Sequence, residues 1–131
     1  PDMLKRRREL IERYDSALKP LGVETLPHFT KDHISSGHLY ITRIPGIGFR
    51  ERQAVIEELA EQGISANVHY KPLPMHTAYK RLGFQIEDYP NSYNRFENEI
   101  TLPLHTKLSE KEVAYILEKY VTAVKRYMIS I

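Results

Sequence analysis

The 131 residues are 41% hydrophobic and 27% charged with a net charge of +2, which fits one globular domain and gives no sign of disorder. No stretch approaches the roughly 20 consecutive apolar residues of a membrane helix, so no membrane partner is expected, and the slight positive balance is too weak to imply nucleic acid by itself. With no cysteine the chain has neither a disulfide nor a thiolate metal site, in keeping with a reducing cytoplasm.

The chain opens at Pro1 directly on a helical pattern, with no signal-peptide signature, as a piece of a larger protein would. Leu4, Ile11, Tyr14 and Leu18 share one face of a helix over residues 3–18, which Pro20 and Gly22 stop. Residues 24–36 read as a long loop, and the β-formers of 38–44 as a strand. Pro45 to Gly48 form a turn before a second helix over 49–62, with Val55, Ile56, Leu59 and Ala60 inward and Gly63 at its C-terminal left-handed position. A second strand is expected at 64–68. Residues 76–82 suit one or two helical turns ending at Gly83, and Asp88, Tyr89 and Pro90 start a short helix that runs to about Asn98. Residues 99–102 form a short strand halted by Pro103. Ser109 and Glu112 have capping-box spacing and Leu108 and Val113 staple spacing, which predicts a helix over 110–126 with Val113, Ile116, Leu117, Tyr120 and Val124 buried. Three short strands with helices on one side make an α+β fold around a small, mainly antiparallel sheet.

The stretch with most chemistry runs from His69 to His76. It holds two imidazoles, a phenol and an ammonium, stiffened by Pro72 and Pro74, at the end of the expected second strand. Such a loop serves either as a binding site or as a packing corner whose histidines bond to backbone. The other candidates are less specific. His28, His33 and His38 are evenly spaced, but they lack the i, i+4 spacing of a helical metal motif and lie in a loop, so no metal is expected. The Gly46-Ile47-Gly48 turn lacks the further glycine or Gly-Lys-Ser/Thr of a phosphate-binding loop. Lys5, Arg6, Arg7 and Arg8 are followed on the same helix by Glu9, Glu12 and Asp15, the mixture of a solvated face. No paired carboxylates or Gly-x-Ser-x-Gly elbow stand out.

Several segments together resemble the C-terminal part of the DegT/StrS-type sugar aminotransferases, pyridoxal-phosphate enzymes of the aspartate aminotransferase fold type. Arg7 to Leu18 resembles the helix that links the large and small domains. His38-Leu39-Tyr40-Ile41-Thr42-Arg43 resembles the first small-domain strand. The block from Arg52 through Gly63 to His76 and the run Asn98-Glu99-Ile100-Thr101-Leu102-Pro103-Leu104-His105 follow in the family's order.

The resemblance implies a linking helix over 1–22 and a small domain over 23–131, the large cofactor-binding domain being absent from this chain. It implies an amino transfer from glutamate to a nucleotide-linked keto sugar, with pyridoxal phosphate as electron sink. The family's Schiff-base lysine lies in its large domain, so this chain would hold no catalytic residue, bind no cofactor by itself and be inactive alone. By position His69, Tyr70 and His76 match residues that face the sugar cleft, where they would donate hydrogen bonds to phosphate or sugar hydroxyls. Lys71 is a weaker match as a diphosphate contact. The resemblance also implies a homodimer. Two other classes stay open on sequence alone: a free-standing interaction or nucleic-acid-binding module using the basic first helix, and a small metal-binding domain.

Overall fold

The structure, a computed structural model, describes residues 2–128; residue 1 and residues 129–131, the end of the expected small domain, lie outside the described residues. Helix α1 (Asp2–Leu18) buries Leu10, Ile11, Tyr14 and Leu18. Leu4, expected on the same stripe, is 54% exposed. A 3-10 turn at Lys19–Leu21 ends at Gly22, whose φ of +82° suits only a residue without a Cβ. The chain then enters β1 (Glu24–Thr25), β2 (Tyr40–Arg43), α2 (Phe49–Glu61), α3 (Thr77–Arg81), α4 (Pro90–Phe96), β3 (Glu99–Leu102) and α5 (Glu110–Met128).

The sheet is antiparallel in the order β1-β2-β3, with Thr25 opposite Thr42, Thr42 opposite Ile100 and Arg43 opposite Glu99. The α+β class with a three-stranded sheet holds, but one strand is not the expected one. Residues 64–68 form no strand. Ile64 N–H donates back to Leu59 O at the helix end, Ala66 N–H to Ile64 O, and Val68 N–H to the Asn67 side chain, so these donors are satisfied locally. Only Asn67 pairs, as an isolated bridge to Thr101. The third strand is the two-residue β1, in a stretch whose composition reads as loop.

Successive side chains of a strand point to opposite faces, and here the two faces differ in chemistry. Tyr40 and Thr42 of β2 and Ile100 and Leu102 of β3 face a core completed by the apolar stripes of α1, α2 and α5. Tyr14 packs on Tyr40 with ring centroids 4.8 Å apart and donates its hydroxyl to Pro103 O. On α2 the inward residues are Arg52, Val55 and Leu59; Ala60, expected inward, is exposed. Helix α5 starts as its sequence predicts: Ser109 Oγ accepts the Glu112 N–H, the Glu112 carboxylate accepts the Ser109 N–H, and Leu108 and Val113 are both buried. Ile41 and Arg43 of β2 and Glu99 and Thr101 of β3 point the other way, toward the 69–76 loop and α4.

Candidate functional site

That second face of the sheet floors a cleft of about 320 Å³, to which Ile41, Arg43 and Glu99 of the sheet and Leu26, His69, Tyr70, Arg95 and Phe96 around it contribute. His69 is anchored twice. Its backbone N–H donates to Glu99 Oε2 at 2.8 Å, and its ring Nδ1 lies 3.0 Å from Thr101 Oγ1. The Thr101 hydroxyl donates to Glu99 Oε1 at 2.5 Å, so both carboxylate oxygens are occupied. Burial pushes the Glu99 carboxyl above the usual range, while the bonds from Thr101 and from the His69 N–H pull it back, helped by the nearby Arg52 charge. The peptide between His69 and Tyr70 is cis. Tyr70 is exposed and meets the His69 ring edge-on at 4.8 Å.

Lys71 and His76 stand elsewhere. Lys71 is exposed, and its carbonyl accepts from His76 Nε2 at 3.3 Å across the 3-10 turn Leu73–Met75. Neither lines the cleft. The loop therefore lines the cleft at its start and forms a self-bonded corner at its end.

Two arginines line the cleft, and a third, Arg52, packs on its lining residue Phe96. Arg43 is fully committed: Nε donates to Asn98, Nη1 to Glu24 and Nη2 to the Asn94 carbonyl, tying β1, β3 and α4 together. Arg52 is buried between the rings of Phe49 and Phe96, 4.8 and 4.7 Å from their centroids, and burial pulls its pKa down. Arg95 is exposed on α4, and no salt bridge among the described residues holds it. Glu99, Thr101 and Arg95 went unassigned in the sequence. The available signal was the alternation of Asn98 to Leu102, which marks a strand with a polar second face.

A larger groove of about 430 Å³ runs between Ile64, Pro103, Leu108 and Tyr115, but its one carboxylate, Glu112, is engaged in the α5 cap. Two of the remaining histidines, His28 and His33, serve the 27–35 segment. His28 is buried, stacks on Tyr40 and bonds Ser35, while His33 bridges Thr30 and Pro27. Among the described residues no three His, Cys, Asp or Glu side chains gather as metal ligands, and no helix is long and apolar enough to cross a membrane. The nucleic-acid alternative loses its footing on α1, where Arg6 and Arg13 pair with Glu110 and Arg8 with Glu12.

Residues 1–121 match the sequence profile of the DegT/DnrJ/EryC1/StrS aminotransferase family. The chain belongs to this aminotransferase family. It is similar to Spr1654 of Streptococcus pneumoniae, described as a sugar aminotransferase and solved in a PLP form, with a TM-score of 0.93 and 52% identity over 96% of this chain and 32% of that one. It is 33% identical over 123 residues to the dTDP-3-amino-3,6-dideoxy-alpha-D-galactopyranose transaminase of Aneurinibacillus thermoaerophilus, covering 94% of this chain and 31% of that protein. It is 28% identical over 120 residues to the spore coat polysaccharide biosynthesis protein SpsC of Bacillus subtilis, covering 89% of this chain and 31% of that protein. The chain thus spans about a third of the length of these relatives.

The family depends on pyridoxal phosphate, and Spr1654 has also been solved in a PMP form. The described residues do not fit this cofactor by themselves. A Schiff-base lysine needs a desolvated pocket, and none of the chain's lysines is buried.

Proposed function

We propose that this chain forms the sugar-facing wall of a pyridoxal-phosphate-dependent aminotransferase that moves an amino group from glutamate to a nucleotide-linked keto sugar. Residues 1–22 act as the linking helix and 23–131 as the small domain. A large domain supplies the lysine and the cofactor pocket, so this chain alone is inactive. The assembled enzyme is a homodimer. The observation that carries the reading is the polar second face of the sheet: a buried Glu99–Thr101 pair holds His69 at the wall of an open cleft, beside the exposed Tyr70 phenol and the unpaired Arg95. A pocket wall of this kind orients substrate without doing the chemistry. Within it, His69 and Tyr70 contact the sugar and Arg95 is the cation available to a diphosphate, with the exposed Lys71, outside the cleft, as a weaker second candidate. His76 supports the loop through the Lys71 carbonyl.

The test is made in the protein that carries this chain together with its large domain. His69→Ala should raise KM for the nucleotide keto sugar about ten-fold, the worth of one well-made hydrogen bond. KM for glutamate and the absorbance of the bound cofactor should not change. Equal damage to sugar use and cofactor binding would contradict the assigned role, and failure of the unaltered enzyme to aminate any nucleotide keto sugar would remove the reading altogether.

A further inference from the structure

Glu99 is 4% exposed, and both of its oxygens receive donors: the His69 backbone N–H on Oε2 and the Thr101 hydroxyl on Oε1. With Glu99 ionised, the state that its two donors and the Arg52 charge favour against burial, the carboxylate can only accept and the backbone N–H can only donate, which fixes the polarity of these bonds. Thr101 has a single hydroxyl proton, and it points to Glu99. What Thr101 offers His69 is therefore a lone pair, and the 3.0 Å contact to Nδ1 requires the ring to carry its proton there. In the neutral imidazole Nε2 is then a bare acceptor. No hydrogen bond among the described residues occupies Nε2, and it is not among the buried atoms left without a partner, so it is open to solvent on a ring that lines the cleft.

We infer that Glu99 and Thr101 are positioning residues that hold His69 in its Nδ1–H tautomer, so that His69 recognises a hydroxyl group of the sugar by accepting its proton. This reverses the expectation that the imidazole donates: facing a phosphate oxygen, the neutral Nε2 would set two acceptors against each other, whereas a sugar hydroxyl supplies the missing proton. The inference rests on the reading of the cleft as the sugar site, and it places the sugar ring at His69, leaving the diphosphate to the cations at the rim.

Glu99→Gln tests the relay at constant volume. Its one side-chain acceptor must serve the His69 N–H, so the amide group turns to Thr101 and donates. Thr101 then donates to Nδ1, and the ring proton moves to Nε2. Thr101→Val removes the relay, and Thr101→Ser keeps the hydroxyl.

The first readout is the pair of ring 15N shifts of His69 in the holoenzyme labelled with [15N]histidine, at a pH where the ring is neutral, assigned by the signal lost in His69→Gln. The unaltered enzyme and Thr101→Ser should show Nδ1–H; Glu99→Gln and Thr101→Val should show Nε2–H. The second readout is kinetic. In Glu99→Gln and Thr101→Val, KM for the nucleotide keto sugar should rise about ten-fold, with kcat within about two-fold, as expected when binding in the ground and transition states is lost equally. One deoxy analogue, the one lacking the contacted hydroxyl, should be indifferent to the substitutions.

Nε2–H in the unaltered enzyme, or Nδ1–H retained in Glu99→Gln, would overturn the relay. A tautomer that switches while KM stays constant for every sugar would overturn the hydroxyl assignment. If the unaltered enzyme aminates no nucleotide sugar, the functional reading fails, and the 15N shifts still decide the roles of Glu99 and Thr101.

Discussion

The buried pair Thr42–Tyr120, directly behind the cleft, has an asymmetry that double substitution can expose. Both side chains are fully buried. Thr42 Oγ1 donates to Ile100 O at 2.6 Å, so at its 2.6 Å contact with Tyr120 the phenol must be the donor. Burial holds that phenol protonated far above its ordinary pKa, so the donor is present at any working pH. Tyr120→Phe keeps the ring and removes only the donor; Thr42 retains its bond to Ile100, and the loss is one net hydrogen bond, about 1 kcal/mol. Thr42→Val keeps the shape but leaves the Tyr120 hydroxyl buried without an acceptor and takes a donor from Ile100 O. The orphaned group costs about 1–3 kcal/mol and the lost bond about 1 more, so the total is about 3 kcal/mol. Adding Tyr120→Phe to Thr42→Val removes the orphan, and the double variant should be more stable than Thr42→Val by about 2 kcal/mol. Urea unfolding followed by far-UV circular dichroism, with the slope checked for constancy, measures all three. If Tyr120→Phe is the costlier single substitution, or if the double variant loses the full sum, the assigned donor direction is wrong.

Two further outcomes follow from the ionisable and capping groups. Burial lowers the His28 pKa from its ordinary value near 6.5, so the unfolded chain takes up a proton that the folded chain refuses. Stability should therefore fall as pH drops below about 6.5, and His28→Phe, which keeps the stack on Tyr40, should flatten that part of a stability–pH profile. Ser109→Ala should cost about 1 kcal/mol in urea unfolding by removing the acceptor of the Glu112 N–H at the start of α5, whereas Ser109→Asp should restore most of it.

The elements legible in the sequence are those whose signals are local. The α5 cap appears with its Ser109–Glu112 and Leu108–Val113 partners because each lies within one turn of the other. The 40–43 and 99–102 strands were readable from β-formers ended by Pro45 and Pro103. The 64–68 strand fails for a reason no window reveals: the donors of Ile64, Ala66 and Val68 are satisfied by Leu59, Ile64 and Asn67, which leaves only Asn67 to pair. Strand β1 was hidden by the opposite effect. Two residues carry no periodicity, and Glu24 is set in place by Arg43, nineteen residues on.

For the site, the sequence by itself singled out the 69–76 loop and, through the order of its segments, the aminotransferase family, because prolines, histidines and segment order are written along the chain. It could not divide that loop into a cleft-facing start and a self-bonded end. Only the tertiary structure brings Glu99 and Thr101 to His69, about thirty residues away in the chain. The strand pleat turns these two residues to the cleft while Ile100 and Leu102 enter the core, and antiparallel pairing aligns them with Ile41 and Arg43. A proton's place on one imidazole is thereby set by a carboxylate that the sequence shows only as one charge in a buried strand.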